Sequence, residues 1–267
     1  NPTVSLNGNY IVTITSNGNG CTSTSTAVVG IDTVTAVLTA TAPNTLTCSA
    51  VSVDIQATVT VNASSLQGLS WTGPAGFVST VEDPAVTNPG VYTLVATLVN
   101  GCTSQVQTTV NQNITPPNAS AQGGTLTCTT TNLNLNGIST TPGATFAWTG
   151  PNFTSNLEDP NINTDGLYTL TVTGLNGCTS VATANVALDV VLPGAVAASS
   201  NNLDCDDLST NLQGTSSTNG VTYAWTGPGT FTAATAATSA SVPGTYLVAV
   251  TGPYGCVSVD SEVVTQE

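Results

Sequence analysis

The segment Trp71-Thr72-Gly73-Pro74 returns as Trp148-Thr149-Gly150-Pro151 and again as Trp225-Thr226-Gly227-Pro228. Both intervals are 77 residues, and a fixed period of that size marks an array of like structural units. Working outward, other residues keep the same period. An aromatic follows (Phe77, Phe153, Phe231), then a tyrosine (Tyr92, Tyr168, Tyr246), then a Gly-Cys pair ending at Cys102, Cys178 and Cys256. Ahead of each tryptophan a second cysteine stands in a shared setting: Leu46-Thr47-Cys48, Leu126-Thr127-Cys128 and Leu203-Asp204-Cys205. Eleven residues beyond each Gly-Cys, a polar residue (Asn113, Asp189, Glu267) marks the expected handover to the next unit. Residues 1–32 align with the end of a repeat, Tyr10 with Tyr92 and Cys21 with Cys102. The expected organisation is thus the C-terminal part of a truncated repeat (1–32) and three full repeats, 33–113, 114–189 and 190–267, as a piece of a longer polymer of such units.

Within a unit, Val53, Ile55, Ala57 and Val59 alternate with polar residues, as do Tyr92, Leu94 and Ala96, which is the period of a half-buried strand. Asn100-Gly101, Asn19-Gly20 and Asn176-Gly177 sit between such runs and predict hairpins in which both residues take positive φ. Roughly seven strands and one tryptophan per unit point to a small two-sheet sandwich. The fold class expected is therefore all-β, with tandem immunoglobulin-like β-sandwich repeats arranged end to end as a rod. Trp71, Trp148 and Trp225, with Tyr92, Tyr168 and Tyr246, are the expected core anchors. Pro116-Pro117 and Pro193 stiffen the junctions, and at roughly 35 to 40 Å per sandwich three units would span about 110 Å.

Composition removes most chemistry. The 267 residues include no Lys, Arg, His or Met, and 14 acidic residues leave a formal charge of −14. Without cations the chain cannot neutralise phosphates, which excludes nucleic acid and an anionic membrane surface as partners. Without His or Lys, most general bases and nucleophile pairs are missing. No run approaches the 18 apolar residues of a spanning helix, so direct membrane insertion is not expected. No catalytic residue, metal or cofactor is assigned, and the chain is not read as an enzyme. Trypsin-like proteases also find no bond to cut, which suits exposure outside a cell.

Seven cysteines without a C-x-x-C pair indicate disulfides formed in an oxidising, extracellular compartment. Two pairings compete. The favoured one lies within repeats, Cys48–Cys102, Cys128–Cys178 and Cys205–Cys256, leaving Cys21 unpaired. The rival links Cys21 to Cys48, Cys102 to Cys128 and Cys178 to Cys205. A final strand that carries the chain some 30 Å onward is the reason for preferring the first.

Among polar candidates, Glu82-Asp83 and Glu158-Asp159 precede proline and offer oxygen ligands for calcium. The third repeat has Ala236-Ala237 there, so solvated turns are the reading adopted. Asp204, Asp206 and Asp207 form the densest acidic cluster, in one repeat only. Sequons occur at Asn62, Asn113, Asn118 and Asn152.

The combination of Leu-x-Cys, Trp-Thr-Gly-Pro, Pro-Gly-x-Tyr (Pro89 to Tyr92, Pro243 to Tyr246) and Asn-Gly-Cys-Thr-Ser resembles the Ig-like and PKD-like repeats of giant Bacteroidota cell-surface proteins. It covers the whole chain. The resemblance implies export by the type IX secretion system and a place in an adhesin, a surface filament or a gliding-motility protein. It implies a stalk whose partners are neighbouring repeats of the same polypeptide and identical filaments alongside. Asp32-Thr33-Val34 resembles the O-glycosylation signal of exported proteins of that phylum, making Thr33 the candidate acceptor. A second functional reading is a glycan- or surface-binding module, with Thr-rich strand faces contacting the ligand.

Overall fold

The computed structural model describes residues 1–61 and 65–267. Among them the regular elements are strands, joined by turns and one 3-10 turn at Pro74–Gly76. No helix among the described residues is long and apolar enough to cross a membrane. The chain divides into two compact units, Asn1–Thr115 and Pro116–Glu267, each described by itself.

The first unit opens with a hairpin of Gly8–Thr15 on Thr22–Val29. A two-sheet sandwich follows. One side pairs Val37–Thr41 with Gln56–Thr60, and Val53–Asp54 with Ala85–Val86. The other is a four-stranded sheet in the order Thr103–Val110, Gly90–Leu98, Leu66–Thr72, Val78–Ser79. After Thr41 the chain changes sides, and Leu46–Thr47 runs parallel to Gln112–Asn113 at the end of the last strand. This first-strand switch between antiparallel sheets is an immunoglobulin-like arrangement. Alternate residues of Gly90–Leu98 point inward, so Tyr92, Leu94, Ala96 and Leu98 are fully buried, with Trp71 beside Leu94 in the same sheet and Ile55 contributed from the other side.

The second unit holds two sandwiches of the same plan. In one, the strands of a five-stranded sheet lie in the order Gly124–Thr127, Thr179–Asp189, Gly166–Thr173, Thr145–Gly150, Phe153–Ser155, the first two parallel. In the other, Val257–Val264, Gly244–Thr251, Thr222–Thr226 and Thr232–Ala233 form one sheet, facing Val196–Ser199, Thr210–Thr215 and Ala237–Ala240. Leu203 bridges Gln266 in parallel. Each sandwich has its own core, built on Trp148 and Tyr168 in one and Trp225 and Tyr246 in the other.

The repeated motifs have one physical explanation in every copy. A Cβ on Gly73, Gly150 or Gly227 would stand 2.3–2.4 Å from the ring of Tyr92, Tyr168 or Tyr246. The tyrosine of Pro-Gly-x-Tyr therefore lies flat on the glycine of Trp-Thr-Gly-Pro. Reciprocally, a Cβ on Gly90 would meet Pro74 at 2.7 Å, and that on Gly244 would meet Pro228 at 2.5 Å. The repeat aromatic stands edge-on to the same tyrosine: Phe77–Tyr92, Phe153–Tyr168 and Phe231–Tyr246 have centroids 5.3, 5.7 and 4.9 Å apart. Each tyrosine hydroxyl donates to the carbonyl four residues upstream, from Tyr92 to Asn88 and likewise from Tyr168, Tyr246 and Tyr10. That is the tyrosine corner of immunoglobulin-like sandwiches.

The hairpins form, with one correction. Only the glycine takes positive φ, Gly20, Gly101 and Gly177 at 71°, 82° and 74°. The asparagine uses its side chain instead: Oδ1 of Asn100 accepts the Cys102 N–H at 2.9 Å, and Asn176 does the same for Cys178. An Asx turn replaces the expected pair of left-handed residues because the loop is longer than two residues.

Candidate functional site: the inter-repeat cysteine junction

The first cysteine of every repeat sits in the same turn. The residue before it closes a ring with the residue three ahead: Thr47, Thr127 and Asp204 each donate N–H to the carbonyl of Ala50, Thr130 and Asp207. The side chain of that residue caps the turn as well. The hydroxyls of Thr47 and Thr127 accept N–H from Ala50 and Thr130 at 2.9 Å. The Asp204 carboxylate accepts from Asp206 and Asp207 at 2.7 and 2.6 Å, and those two bonds hold its pKa below the ordinary value. Thr47, Thr127 and Leu203 pair with Asn113, Asp189 and Gln266, so the turn lies at the exit end of its sandwich.

The second cysteine lies at the opposite end. Its carbonyl closes the last hairpin, accepting N–H from Ser16, Leu98, Gly174 or Gly252 for Cys21, Cys102, Cys178 or Cys256. That hairpin faces the entry linker. Nδ2 of Asn100 donates to the carbonyl of Val34 at 2.9 Å, and Gly174 and Gly252 lie against Pro117 and Pro193.

In the second unit these two places meet across a junction. Cys128, in the exit turn of one sandwich, is bonded to Cys256, in the entry hairpin of the next, with Cα atoms 5.1 Å apart and 128 residues between them in sequence. The fit around the bond is close. Thr129 Oγ1 donates to the Tyr254 carbonyl at 3.5 Å, and a Cβ on Gly255 would come within 2.2 Å of the Thr129 methyl. Gly255 takes φ 77°, the place held by the glycine of Asn-Gly in the other hairpins.

This overturns both pairings considered from the sequence. Cys178 is not joined to Cys128, nor Cys256 to Cys205. Of the six cysteines expected in bonds, Cys102 and Cys205 are free, as is Cys21, whereas Cys48 and Cys178 are disulfide-bonded alongside Cys128 and Cys256. The reason is length. Thr127 lies beside Asp189, eleven residues of final strand from Cys178, which at 3.3 Å per residue is about 36 Å. A disulfide needs Cα atoms within about 7 Å. The rival Cys102–Cys128 and Cys178–Cys205 pairs are not formed either, since Cys128 is bonded to Cys256 and both Cys102 and Cys205 are free.

The acidic pairs act inside their own sandwich. Asp83 Oδ1 accepts the Ala57 N–H at 2.8 Å and Asp159 Oδ1 accepts the Gly137 N–H at 3.0 Å. The carbonyls of Glu82 and Glu158 accept the indole N–H of Trp71 and Trp148 at 3.1 and 3.0 Å. They are structural acceptors, more than the solvated turn residues expected. In the third repeat the Ala236 carbonyl takes the Gly214 N–H, and Trp225 Nε1 is buried without a partner. Among the described residues no three His, Cys, Asp or Glu side chains gather as a metal site. Asp260, with no equivalent among the residues singled out from the sequence, accepts the Ala197 N–H at 2.8 Å, which lowers its pKa.

Thr33 is exposed beside Asp32, whose Oδ1 accepts the Val34 N–H. The sequon at Asn62 lies outside the described residues. Asn113, Asn118 and Asn152 are exposed, and Asn118 Oδ1 is engaged by Ser139, Thr140 and Thr141.

No protein-family model matches the sequence, and no curated protein does. Solved structures similar in fold include the N-terminal eight Ig domains of Down Syndrome Cell Adhesion Molecule (12% identity, TM-score 0.37, covering 97% of this chain and 46% of that one). Others are the I9-I11 tandem from titin (11%, 0.34, 81% and 94%) and a tetra-tandem repeat from the extending region of a large adhesion protein (17%, 0.34, 97% and 82%).

Proposed function

We propose that this chain is a stalk segment of an extracellular adhesin or surface filament, its repeats serving as spacers rather than catalysts. One observation carries the reading: the residues that recur with the period pack a sandwich or bond it to its neighbour, as Cys128 does with Cys256. A disulfide across a junction fixes spacing and orientation, which a stalk requires, and it forms in an oxidising compartment outside the cell. The resemblance to Bacteroidota repeats adds the finer reading of type IX export, with adhesion or gliding as the setting and Thr33 as a glycan acceptor. Neighbouring repeats are the expected partners, and identical filaments pack alongside.

Small-angle scattering tests the stalk. A rod of about 110 Å has a radius of gyration near 32 Å, against about 18 Å for a compact chain of this length. A value near the lower figure overturns the reading. Saturable binding of a defined glycan by this chain would favour the alternative, in which the repeats themselves hold the ligand.

A further inference from the structure

We infer that the junction bond is a general device: the exit-turn cysteine of each repeat is joined to the entry-hairpin cysteine of the following one, so that the array is laced covalently along its length. Cys128–Cys256 is the bond itself. Cys205 occupies the same turn as Cys128, with the ring from Asp204 to Asp207 matching that from Thr127 to Thr130. Cys102 occupies the same hairpin as Cys256, its carbonyl and its preceding glycine placed alike. Both are free and reach solvent. Each is therefore one half of the bond, and the occupant is another copy of this repeat: an entry hairpin for Cys205, an exit turn for Cys102. The net reaction joins two thiols, losing two protons and two electrons to an extracellular thiol oxidant such as a protein disulfide.

The consequence is mechanical. From a hairpin cysteine to the next turn cysteine is 27 residues (Cys178 to Cys205) or 26 (Cys102 to Cys128). A bond followed by such a segment advances the covalent path by two repeats. Two interleaved tracks of this kind run along the array, and each needs about 27 residues where the bare chain needs about 154 at a period of 77. At roughly 3.4 Å per extended residue, a laced array stretches to about 90 Å per two repeats even with every sandwich unfolded, against about 520 Å unlaced.

The test lengthens the full chain by a second copy of residues 190–267 and counts alkylatable thiols under denaturing, non-reducing conditions. The chain alone has three, Cys21, Cys102 and Cys205. The longer chain, with two more cysteines, should again show three, because Cys205 takes the copied Cys256 and the copied Cys205 replaces it as the free end. Burial of the copied Trp225, read by fluorescence, checks that the added repeat folds. Cys205→Ser in the longer chain should raise the count to four, the new thiol mapping to the copied Cys256. Five thiols with a folded added repeat, or a Cys205→Ser variant that shows only two, overturns the proposal.

Discussion

Gly150 leaves no space for a methyl group, since its Cβ would lie inside the ring of Tyr168. Gly150→Ala should cost about 1–3 kcal/mol as an overpacked site, measured by urea unfolding. Gly18, with nothing near its Cβ position, is the control, and an equal effect at both sites would contradict the ring-on-glycine contact. The tryptophans make a second comparison. Trp71 donates its indole N–H to Glu82, whereas Trp225 has no acceptor. Trp71→Phe should therefore cost about 1 kcal/mol more than Trp225→Phe, and a reversed order would show that the missing acceptor is immaterial. The recurrence of Trp-Thr-Gly-Pro and Pro-Gly-x-Tyr was plain in the sequence. Their dependence on one another was not, because periodicity records which residues recur and not which of them touch. Asp83 and Asp159 are exposed turn residues as expected, but their structural role is hidden for a similar reason: their partners are backbone N–H groups, which leave no trace in side-chain identity.

At the scale of elements, the exit turn differs between repeats in one testable way. Thr47 and Thr127 cap it with a hydroxyl that does not titrate, and Asp204 caps it with a carboxylate of lowered pKa. A depressed folded pKa stabilises above the unfolded carboxylate value, about 4, and that contribution is lost as pH falls through the folded value. Acidification below pH 4 should speed amide exchange at Asp206 and Asp207 while the Ala50 and Thr130 amides stay protected. Equal acid sensitivity in all three turns would refute the capping role. Strands and hairpins were legible from alternation and Asn-Gly, but the pairing of cysteines was not. The final strand's length was used to favour bonds within a repeat, although that same length separates the two cysteines of one sandwich. Only the placing of Leu126–Thr127 against Leu188–Asp189 reveals that the turn belongs to the exit end.

For the whole molecule, the disulfide between Cys128 and Cys256 couples two cores rather than clamping one. Closing a loop of 128 residues contributes about 5 kcal/mol on chain-entropy grounds. Calorimetry should show the last two repeats unfolding together when oxidised and separately after reduction. Stretching the chain between its termini should gain at least 430 Å of extended length on reduction, at roughly 3.4 Å per residue. Removing calcium with a chelator should leave the melting temperature unchanged, because Asp83, Asp159 and Asp204 already accept backbone N–H groups. A fall of several degrees would reveal a bound ion. The measurement that bears most directly on lacing is a non-reducing peptide map of the oxidised chain, cut with chymotrypsin after aromatic and leucine residues. Cleavage after Leu126 separates Cys102 from Cys128, and cleavage after Tyr254 isolates Cys256. The account predicts a peptide beginning after Leu126 joined to one beginning at Gly255. A peptide joining Cys128 to Cys178, or Cys205 to Cys256, would contradict it.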